Sequence, residues 1–220
     1  MSLRFLSYPF TTIMPVYGNP AQVLDIEQLK CPSKGDSCST YRIIFENHWG
    51  THVDAPAHFF KTGRTVADYP ADFWLFKRPQ VINVSLKSAE LLKIKHLKKI
   101  SKITDLLLVR SGWFKKRGKP DYSLRNPGVH AEVGEYLRHQ YPNIRAIGFD
   151  WISLSSRLDR DMGRLAHRVF LNPLKPGKPI LIIEDMDLSA AGKSLRQVQV
   201  APWQIRGVDS APCTIVGAFK

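Results

Sequence analysis

Residues 46–60 read ENHWGTHVDAPAHFF, and they place three histidines and an aspartate at tight spacing. Imidazole nitrogens and carboxylate oxygens are the ligands that zinc, manganese and iron favour in proteins. A single histidine is more often packed or solvated than bound to a metal, but this density favours metal chemistry over coincidence. The stretch is therefore a candidate metal site, around which we expect the rest of the fold to be organised.

The local chemistry of the stretch limits its conformation. Pro56 argues against a helix interior and pushes Ala55 toward extended backbone, so the segment is predicted to be a strand or an ordered loop. On a straight strand His48 and His52 would lie about 13 Å apart, too far for ligands that each sit about 2 Å from a metal. The chain must bend between them, and Gly50 is the residue that permits it.

The spacing of the polar side chains indicates which of them act together. His48, His52, Asp54 and His58 have the same parity, so an extended chain points them to one face. His52 and Asp54 are close enough to serve one metal or an adjacent pair without a bend. His58 lies beyond the proline and fits two roles, a further ligand or an unligated acid/base.

Short apolar runs alternate with helical patterns along the rest of the chain. Strands are predicted over Tyr41–Phe45, Gln80–Ser85, Thr104–Arg110, Arg145–Asp150 and the apolar run that begins at Pro179. Helices are predicted over Ser88–Lys102 and from Asn126 through Leu137 toward Tyr141. This alternation predicts an α/β fold, and the absence of a repeat or linker predicts one domain over residues 1–220.

Composition places the chain among ordinary globular proteins. A domain of 220 residues buries about 70% of the surface that its unfolded chain would expose. The sequence contains no run of about 18 apolar residues, so no transmembrane helix and no membrane partner are expected. The three cysteines, Cys31, Cys38 and Cys213, lack metal-type spacing and are predicted to be reduced, which suits a cytoplasmic location.

The net charge of +13 raises the question of nucleic-acid binding. The lysines and arginines are spread along the chain, however, and no nucleic-acid-binding motif accompanies them. In the Lys-rich run 93–100, Ile94, Leu97 and Ile100 recur at intervals of three, which is typical of a solvated amphipathic helix. We therefore expect a small-molecule substrate and no nucleic-acid partner.

Two downstream polar residues are further candidate site residues, and two aromatic residues are candidate substrate contacts. Glu184 ends the apolar run after Pro179, and active-site groups often lie at the carboxyl end of a buried strand. His167, in the segment 163–168, is by itself more often structural. Phe73 and Trp74 lie in an aromatic-rich segment, 61–78, that is predicted to form a loop or short helix beside the site. They are candidate contacts for an aromatic substrate, although core packing is the more common fate of such residues.

The pattern His-x-Gly-Thr-His-x-Asp-x-Pro-x-His, residues 48–58, resembles the signature of the metal-dependent putative cyclase family, which includes kynurenine formamidases and isatin hydrolases. The resemblance implies that His48, His52 and Asp54 are metal ligands and that His58 is the catalytic acid/base. The family also has an Ala-His-Arg segment and an apolar strand that ends in glutamate. These features imply that His167 and Glu184 complete the ligand set.

The same resemblance implies the fold and the activity. It implies an α/β domain with a mixed, partly barrel-like sheet flanked by helices, two divalent metal ions, Zn²⁺ or else Mn²⁺, and a homodimer or higher homo-oligomer. The implied reaction is hydrolysis of an aryl formamide such as N-formylkynurenine through a metal-activated water. Isatin-type lactam hydrolysis is the nearest alternative, and a metal-binding protein without turnover is the alternative from another class.

Overall fold

Strands dominate the computed structural model, which describes residues 1–97, 99–192 and 194–220. The strands are β1 (Ser2–Phe5), β2 (Ile13–Val16), β3 (Asn19–Val23), β4 (Asp25–Lys30), β5 (Thr40–Ile44), β6 (His52–Asp54), β7 (Leu75–Phe76), β8 (Pro79–Asn83), β9 (Leu91–Leu92), β10 (Leu106–Arg110), β11 (Gly128–Val129), β12 (Ala146–Phe149), β13 (Leu181–Glu184), β14 (Leu195–Pro202) and β15 (Ser210–Phe219). The α-helices are α1 (Pro120–Leu124), α2 (Ala131–Gln140) and α3 (Arg160–Leu171).

One large mixed sheet organises these elements. Its strand order is β7-β14-β15-β6-β13-β12-β10-β8, and β1 pairs with β15. The four strands β8, β10, β12 and β13 are parallel, whereas β6, β15, β14 and β7 pair antiparallel. Strand β14 also lies close to β8, so the sheet is nearly closed. The predicted α/β fold with a mixed, partly barrel-like sheet is confirmed.

The parallel strands are apolar on both faces because each face covers a separate core. Leu107 and Val109 of β10 belong to the core that contains helices α2 and α3, whereas Leu106 and Leu108 belong to the core enclosed by the sheet. This alternation follows from the two-residue period of a strand. Each fully buried leucine or valine contributes about 1.5–3 kcal/mol, so these strands form a stable support for the polar groups at their ends.

The predicted helix over Ser88–Lys102 is wrong. The chain has a left-handed residue at Ala89 (φ 56°), a two-residue strand at β9 and a short 3₁₀ helix at Ile94–His96. Strand β9 pairs in parallel with β11, so leucines that fit a helical pattern instead pack as part of a small sheet. Pairing with a distant segment has therefore overridden the local helical periodicity of the apolar residues. Lys98, which falls within the predicted helix, lies outside the described residues.

The helix predicted from Asn126 is confirmed with a later start, because residues Gly128–Val129 form β11 and α2 begins at Ala131. Its N-cap is His130, whose side chain accepts a hydrogen bond from the Glu132 amide. The longest described helix, α3, has 12 residues, and no helix within the described ranges is long and apolar enough to cross a membrane. The three cysteines are free thiols, as predicted.

Candidate metal centre

Strand β6 carries the central pair of polar side chains, His52 and Asp54. The strand lies between β13 and β15, with His52 opposite Glu184 and Asp54 opposite Ser210. Backbone pairing on both sides fixes the positions of these residues. Their exposed fractions are only 2% and 1%, which is unusual for ionisable side chains without a partner charge.

The predicted bend lies at Gly50. Its φ of +65° is the left-handed conformation that glycine adopts without strain, and a Cβ there would approach the ring of Phe10 to 2.4 Å. The turn brings the rings of His48 and His52 to a centroid separation of 5.2 Å. The two histidines, which a straight strand would hold apart, therefore share one site.

A second turn returns His58 to the same place. The chain leaves β6 into a 3₁₀ helix over Pro56–His58, in which the His58 amide donates to the Ala55 carbonyl. The His58 ring lies 4.4 Å from that of His48 and 5.7 Å from that of His167, measured between centroids. The three histidines of residues 46–60 are thus neighbours in space.

The two downstream candidates come from helix α3 and from β13, the strand that pairs with β6. His167 lies on α3, 5% exposed, and its Nδ1 donates to the Gly163 carbonyl at 2.8 Å. Glu184 ends β13, 4% exposed, and its Oε1 accepts hydrogen bonds from the Leu154 amide at 2.7 Å and the Ser153 hydroxyl at 3.2 Å. Both side chains are therefore oriented before any ligand binds.

The ligand atoms converge on the carboxylate of Asp54. Its Oδ1 lies 3.1 Å from His48 Nδ1 and 3.6 Å from His52 Nε2, and its Oδ2 lies 3.7 Å from His167 Nε2. Glu184 places one oxygen 3.5 Å from His52 Nε2 and the other 3.7 Å from His167 Nε2. The five predicted ligands form one cluster.

Three overlapping groups among the described residues have the spacing of a metal site, and in each, one ligand atom per residue lies within 4.8 Å of the others. They are His48, His52 and Asp54; Asp54, His58 and His167; and His48, His58 and Asp209. Asp54 belongs to the first two of these groups, so its carboxylate is the ligand that they share. His58 also belongs to the second group. The geometry is therefore compatible with both of its predicted roles, a further metal ligand or an unligated acid/base.

Whether a cation fits the cluster can be judged from the hydrogen bonding of its buried polar atoms. His52 Nε2 is buried and has no hydrogen-bond partner, a situation that costs about 1–3 kcal/mol, whereas the equally buried Asp54 Oδ1 has only His48 Nδ1 at 3.1 Å. Because Nδ1 of His52 donates to the Gly50 carbonyl at 2.8 Å, the lone pair of this imidazole lies on Nε2, and His167 has the same arrangement. Buried carboxylates and inward-facing Nε2 lone pairs fit a divalent metal ion.

The charges of the cluster attract positive charge. Burial alone would raise the pKa of Asp54, but contacts with His48, His52 and His58 hold it well below its usual range. Burial alone would lower the pKa of His48, yet hydrogen bonds to Asp209 and Asp54 raise it to about 10. Without a metal ion, protonated imidazole therefore balances the carboxylates, and divalent ions would take over this charge.

Asp209 is a site residue that the sequence did not predict. It lies immediately before β15, and its Oδ2 accepts hydrogen bonds from His58 Nδ1 at 2.5 Å and His48 Nε2 at 3.1 Å. Asn47 donates to the other oxygen at 2.9 Å. Asp209 therefore orients His58, the predicted acid/base. The feature of the sequence that could have identified Asp209 is a carboxylate directly before an apolar strand.

The predicted aromatic contacts lie away from the histidines. Trp74 is 5% exposed and packs against Tyr69 and Phe73 in the core enclosed by the sheet. Among the described residues, the aromatic ring that stacks on a site imidazole is Phe59, 5.0 Å from His167 with an interplanar angle of 18°. Substrate contact by Phe73 and Trp74 stays a prediction.

A polar cavity of about 380 Å³ adjoins the chain around His48, and its described lining contains none of the five candidate ligands. Its lining includes Glu46 and Trp49, which lie on either side of His48 in the chain, and two arginines, Arg157 and Arg160, at the start of α3. Tyr17 also lines it and donates to the Ser156 carbonyl at 3.2 Å. The cavity thus combines aromatic rings with charges of both signs.

The residue after Glu184 belongs to a different network. Asp185 is fully buried and accepts hydrogen bonds from Arg117 Nε at 3.0 Å, Arg117 Nη2 at 2.9 Å and Tyr122 Oη at 2.5 Å. Its carbonyl accepts from the Thr51 hydroxyl at 2.5 Å. This network ties β13 to the stretch that carries His52.

The chain is similar in sequence to a family of known proteins. A family model described as "Putative cyclase" matches residues 5–156, more than half of the chain. A kynurenine formamidase of Bacillus cereus is 28% identical over 182 residues, which are 82% of this chain and 80% of that protein.

Solved structures share the fold over the whole chain. An isatin hydrolase A from Labrenzia aggregata, bound to benzyl benzoate, has a TM-score of 0.81 at 20% identity and covers 100% of this chain and 94% of its own. A structure described as a potential metal-dependent hydrolase with cyclase activity has a TM-score of 0.71 at 20% identity, covering 98% and 96%. At this identity the likeness establishes the fold.

Proposed function

The chain belongs to the putative cyclase family, its relatives support a cyclase-family hydrolase, and we propose that it is a metal-dependent amidohydrolase. The proposed reaction cleaves a carbon–nitrogen bond of an aryl formamide and does not act on peptide bonds. The observation that carries the proposal is the pair of ligand groups that share the buried carboxylate of Asp54. Two Zn²⁺ or Mn²⁺ ions suit these nitrogen and oxygen ligands.

The roles of the residues are proposed from the family resemblance, and their clustering supports them. His48, His52, Asp54, His167 and Glu184 would hold the metal ions. Bound there, the ions would supply an activated water at neutral pH and polarise the carbonyl of the substrate.

The proposed acid/base is His58. Its ring is partly exposed, with 26% of the side chain accessible, whereas His52 and His167 are enclosed. Because Nδ1 donates to Asp209, the other ring nitrogen is free to take a proton and pass it to the leaving nitrogen. The aspartate favours the tautomer and orientation that this transfer requires.

The polar cavity beside His48 supports an amino-acid substrate. N-formylkynurenine carries an α-carboxylate, an α-ammonium group and an aryl formamide. Arg157 and Arg160 match the carboxylate, Glu46 matches the ammonium, and Tyr17 and Trp49 offer aromatic surfaces. Isatin, the alternative lactam substrate, has neither charged group, so these charges favour the formamide.

The substrate assignment is tested by formate release from N-formylkynurenine, with isatin opening measured in parallel on metal-loaded protein. We expect turnover of N-formylkynurenine, and a loss of about 100-fold or more in His58→Ala with its metal content unchanged. Loss of metal in this variant would make His58 a ligand. Opening of isatin alone would select the lactam alternative, and bound metal with no turnover of either compound would select the non-catalytic alternative.

The proposed carboxylate contact has its own test. Arg157→Gln and Arg160→Gln should each raise KM for N-formylkynurenine about fivefold, because a charge-assisted hydrogen bond is lost. Arg164→Gln is the matched control, since Arg164 lies on α3 with Arg160, pairs with Asp161 and does not line the cavity. Formanilide lacks the amino-acid group, so its KM should not change; an equal rise for formanilide would contradict the assignment.

We also propose a homodimer and a cytoplasmic location. Strands β4 and β5 form a hairpin whose residues are all exposed, including Ile26, Tyr41 and Ile43. A lone two-stranded hairpin is marginally stable in water, which supports its burial against a second copy. The free thiol of exposed Cys38 supports a reducing compartment. Light scattering would measure the mass, and a monomer would contradict the dimer.

A further inference from the structure

A second, larger cavity lies at the other edge of the parallel strands. Its volume is about 620 Å³, and its lining includes Asp105, Arg145 and Pro179, which precede β10, β12 and β13 respectively. The metal ligand Glu184 lies at the opposite, carboxyl end of β13. The two cavities are therefore separate sites.

The walls of this cavity are largely apolar. Tyr69 and Phe73 pack against each other with ring centroids 4.4 Å apart, and Ile103 is 61% exposed at the opening. A volume of this size and an aromatic lining with a few polar groups are typical of small-molecule sites. The cavity thus offers room and apolar surface for an aromatic or aliphatic group.

Asp105, the only acid among the described residues of the lining, is already neutralised. Asp105 accepts hydrogen bonds from the backbone amides of Lys77 at 2.8 Å and Arg78 at 3.0 Å, and it lies 3.5 Å from Arg145 Nη2. Arg145 in turn donates to the carbonyl of Phe73 and to that of Leu75 at 3.0 Å. These two opposite charges cancel.

Two further cations line the cavity and leave it net positive. Arg64 lies over the ring of Tyr69, 4.2 Å from its centroid, and donates to the Asp68 carbonyl; a guanidinium has five N–H donors. Lys178 has no ion pair among the residues that the structure describes. An anionic group would therefore be attracted by two cations and would meet no uncompensated acid.

We propose that this cavity binds a small molecule that joins a carboxylate to an aromatic or aliphatic body. Arg64 and Lys178 bind the carboxylate, and Tyr69, Phe73 and Ile103 contact the body. The site also adjoins the segment of His58, because Pro56 forms part of the wall and the Ala57 amide donates to the Arg64 carbonyl at 3.0 Å.

Titration calorimetry on the metal-loaded full-length protein tests the site with 2-naphthylacetate and its neutral analogue 2-naphthylacetamide. We expect the carboxylate to bind about tenfold more tightly than the amide, because only the carboxylate forms charge-assisted hydrogen bonds. Arg64→Gln and Lys178→Gln should each remove most of this difference. Lys34→Gln, which changes an exposed lysine outside the cavity, should keep it.

Ile103→Trp separates binding here from binding at the metal centre. The larger ring at the exposed opening should block the cavity and abolish binding of naphthylacetate, while hydrolysis and melting temperature stay unchanged. Equal affinity for carboxylate and amide would overturn the proposal. So would unchanged affinity in Ile103→Trp, or the absence of binding at about 10 mM ligand.

Discussion

Glu184 and Asp185 are consecutive buried carboxylates in opposite environments. Asp185 accepts hydrogen bonds from Arg117 and Tyr122, so its charge is paired and its oxygens are occupied. Glu184 points instead into a cluster where the buried His52 Nε2 has no hydrogen-bond partner. The divergence begins where β13 ends at Glu184, because Asp185 adopts a left-handed conformation with a φ of 50° and does not continue the strand.

The difference separates structural charge from functional charge. A buried network whose donors and acceptors match stabilises the fold without a ligand. A buried cluster with unused lone pairs and a surplus of acceptors is costly until a cation binds. We therefore expect changes in the two regions to affect different properties, metal binding in one and folding stability in the other.

The largest effect is expected from Asp54→Ala. This change removes the carboxylate that both ligand groups share, so metal content should fall to near zero and turnover by about 1,000-fold or more. Elemental analysis of the purified variant measures the first and formate release the second. Full metal occupancy in Asp54→Ala would remove this residue from the ligand set.

Asp185→Ala should act on stability. It leaves Arg117, with a side chain only 15% exposed, without its partner, and the loss of one member of a buried pair costs about 3 kcal/mol or more. Urea unfolding of the metal-free protein measures this cost. Glu184→Gln is the matched control, because the amide keeps an acceptor for the Leu154 amide and should unfold near wild type while binding little metal. If both changes lowered the free energy of unfolding equally, the two regions would not differ in their contribution to folding stability.

A smaller effect is expected from Asp209→Asn. The substitution keeps the shape of the side chain but weakens its hold on His58 and His48, so kcat should fall about tenfold while metal stays bound. A shift in the pH profile of kcat would accompany the loss if Asp209 orients the acid/base. An unchanged kcat and an unchanged profile would limit Asp209 to a structural role.

The sequence predicted the parts of the site that are local. His48, His52, Asp54 and His58 lie within eleven residues, so spacing and one glycine turn sufficed to bring them together. The buried strands were also predictable, because an apolar run that covers two cores needs no partner to be identified. The family resemblance added His167 and Glu184, which the cluster includes.

What the sequence could not predict depends on distant pairing. Asp209 reaches His58 across 151 residues, and no local pattern encodes such a contact. The helix predicted over Ser88–Lys102 failed for the same reason, since β9 pairs with β11. Arg157 and Arg160, beside the site, could not be singled out from the sequence, because basic residues are spread along the whole chain.

Metal titration of chelator-treated protein measures whether hydrolysis depends on ions bound at Asp54. Zn²⁺ or Mn²⁺ is added in steps, and bound metal and hydrolysis of N-formylkynurenine are measured on the same samples. We expect two ions bound per chain, and no turnover before metal is added. Full activity in the chelated protein, or a failure to bind either ion, would contradict a metal-dependent site at Asp54.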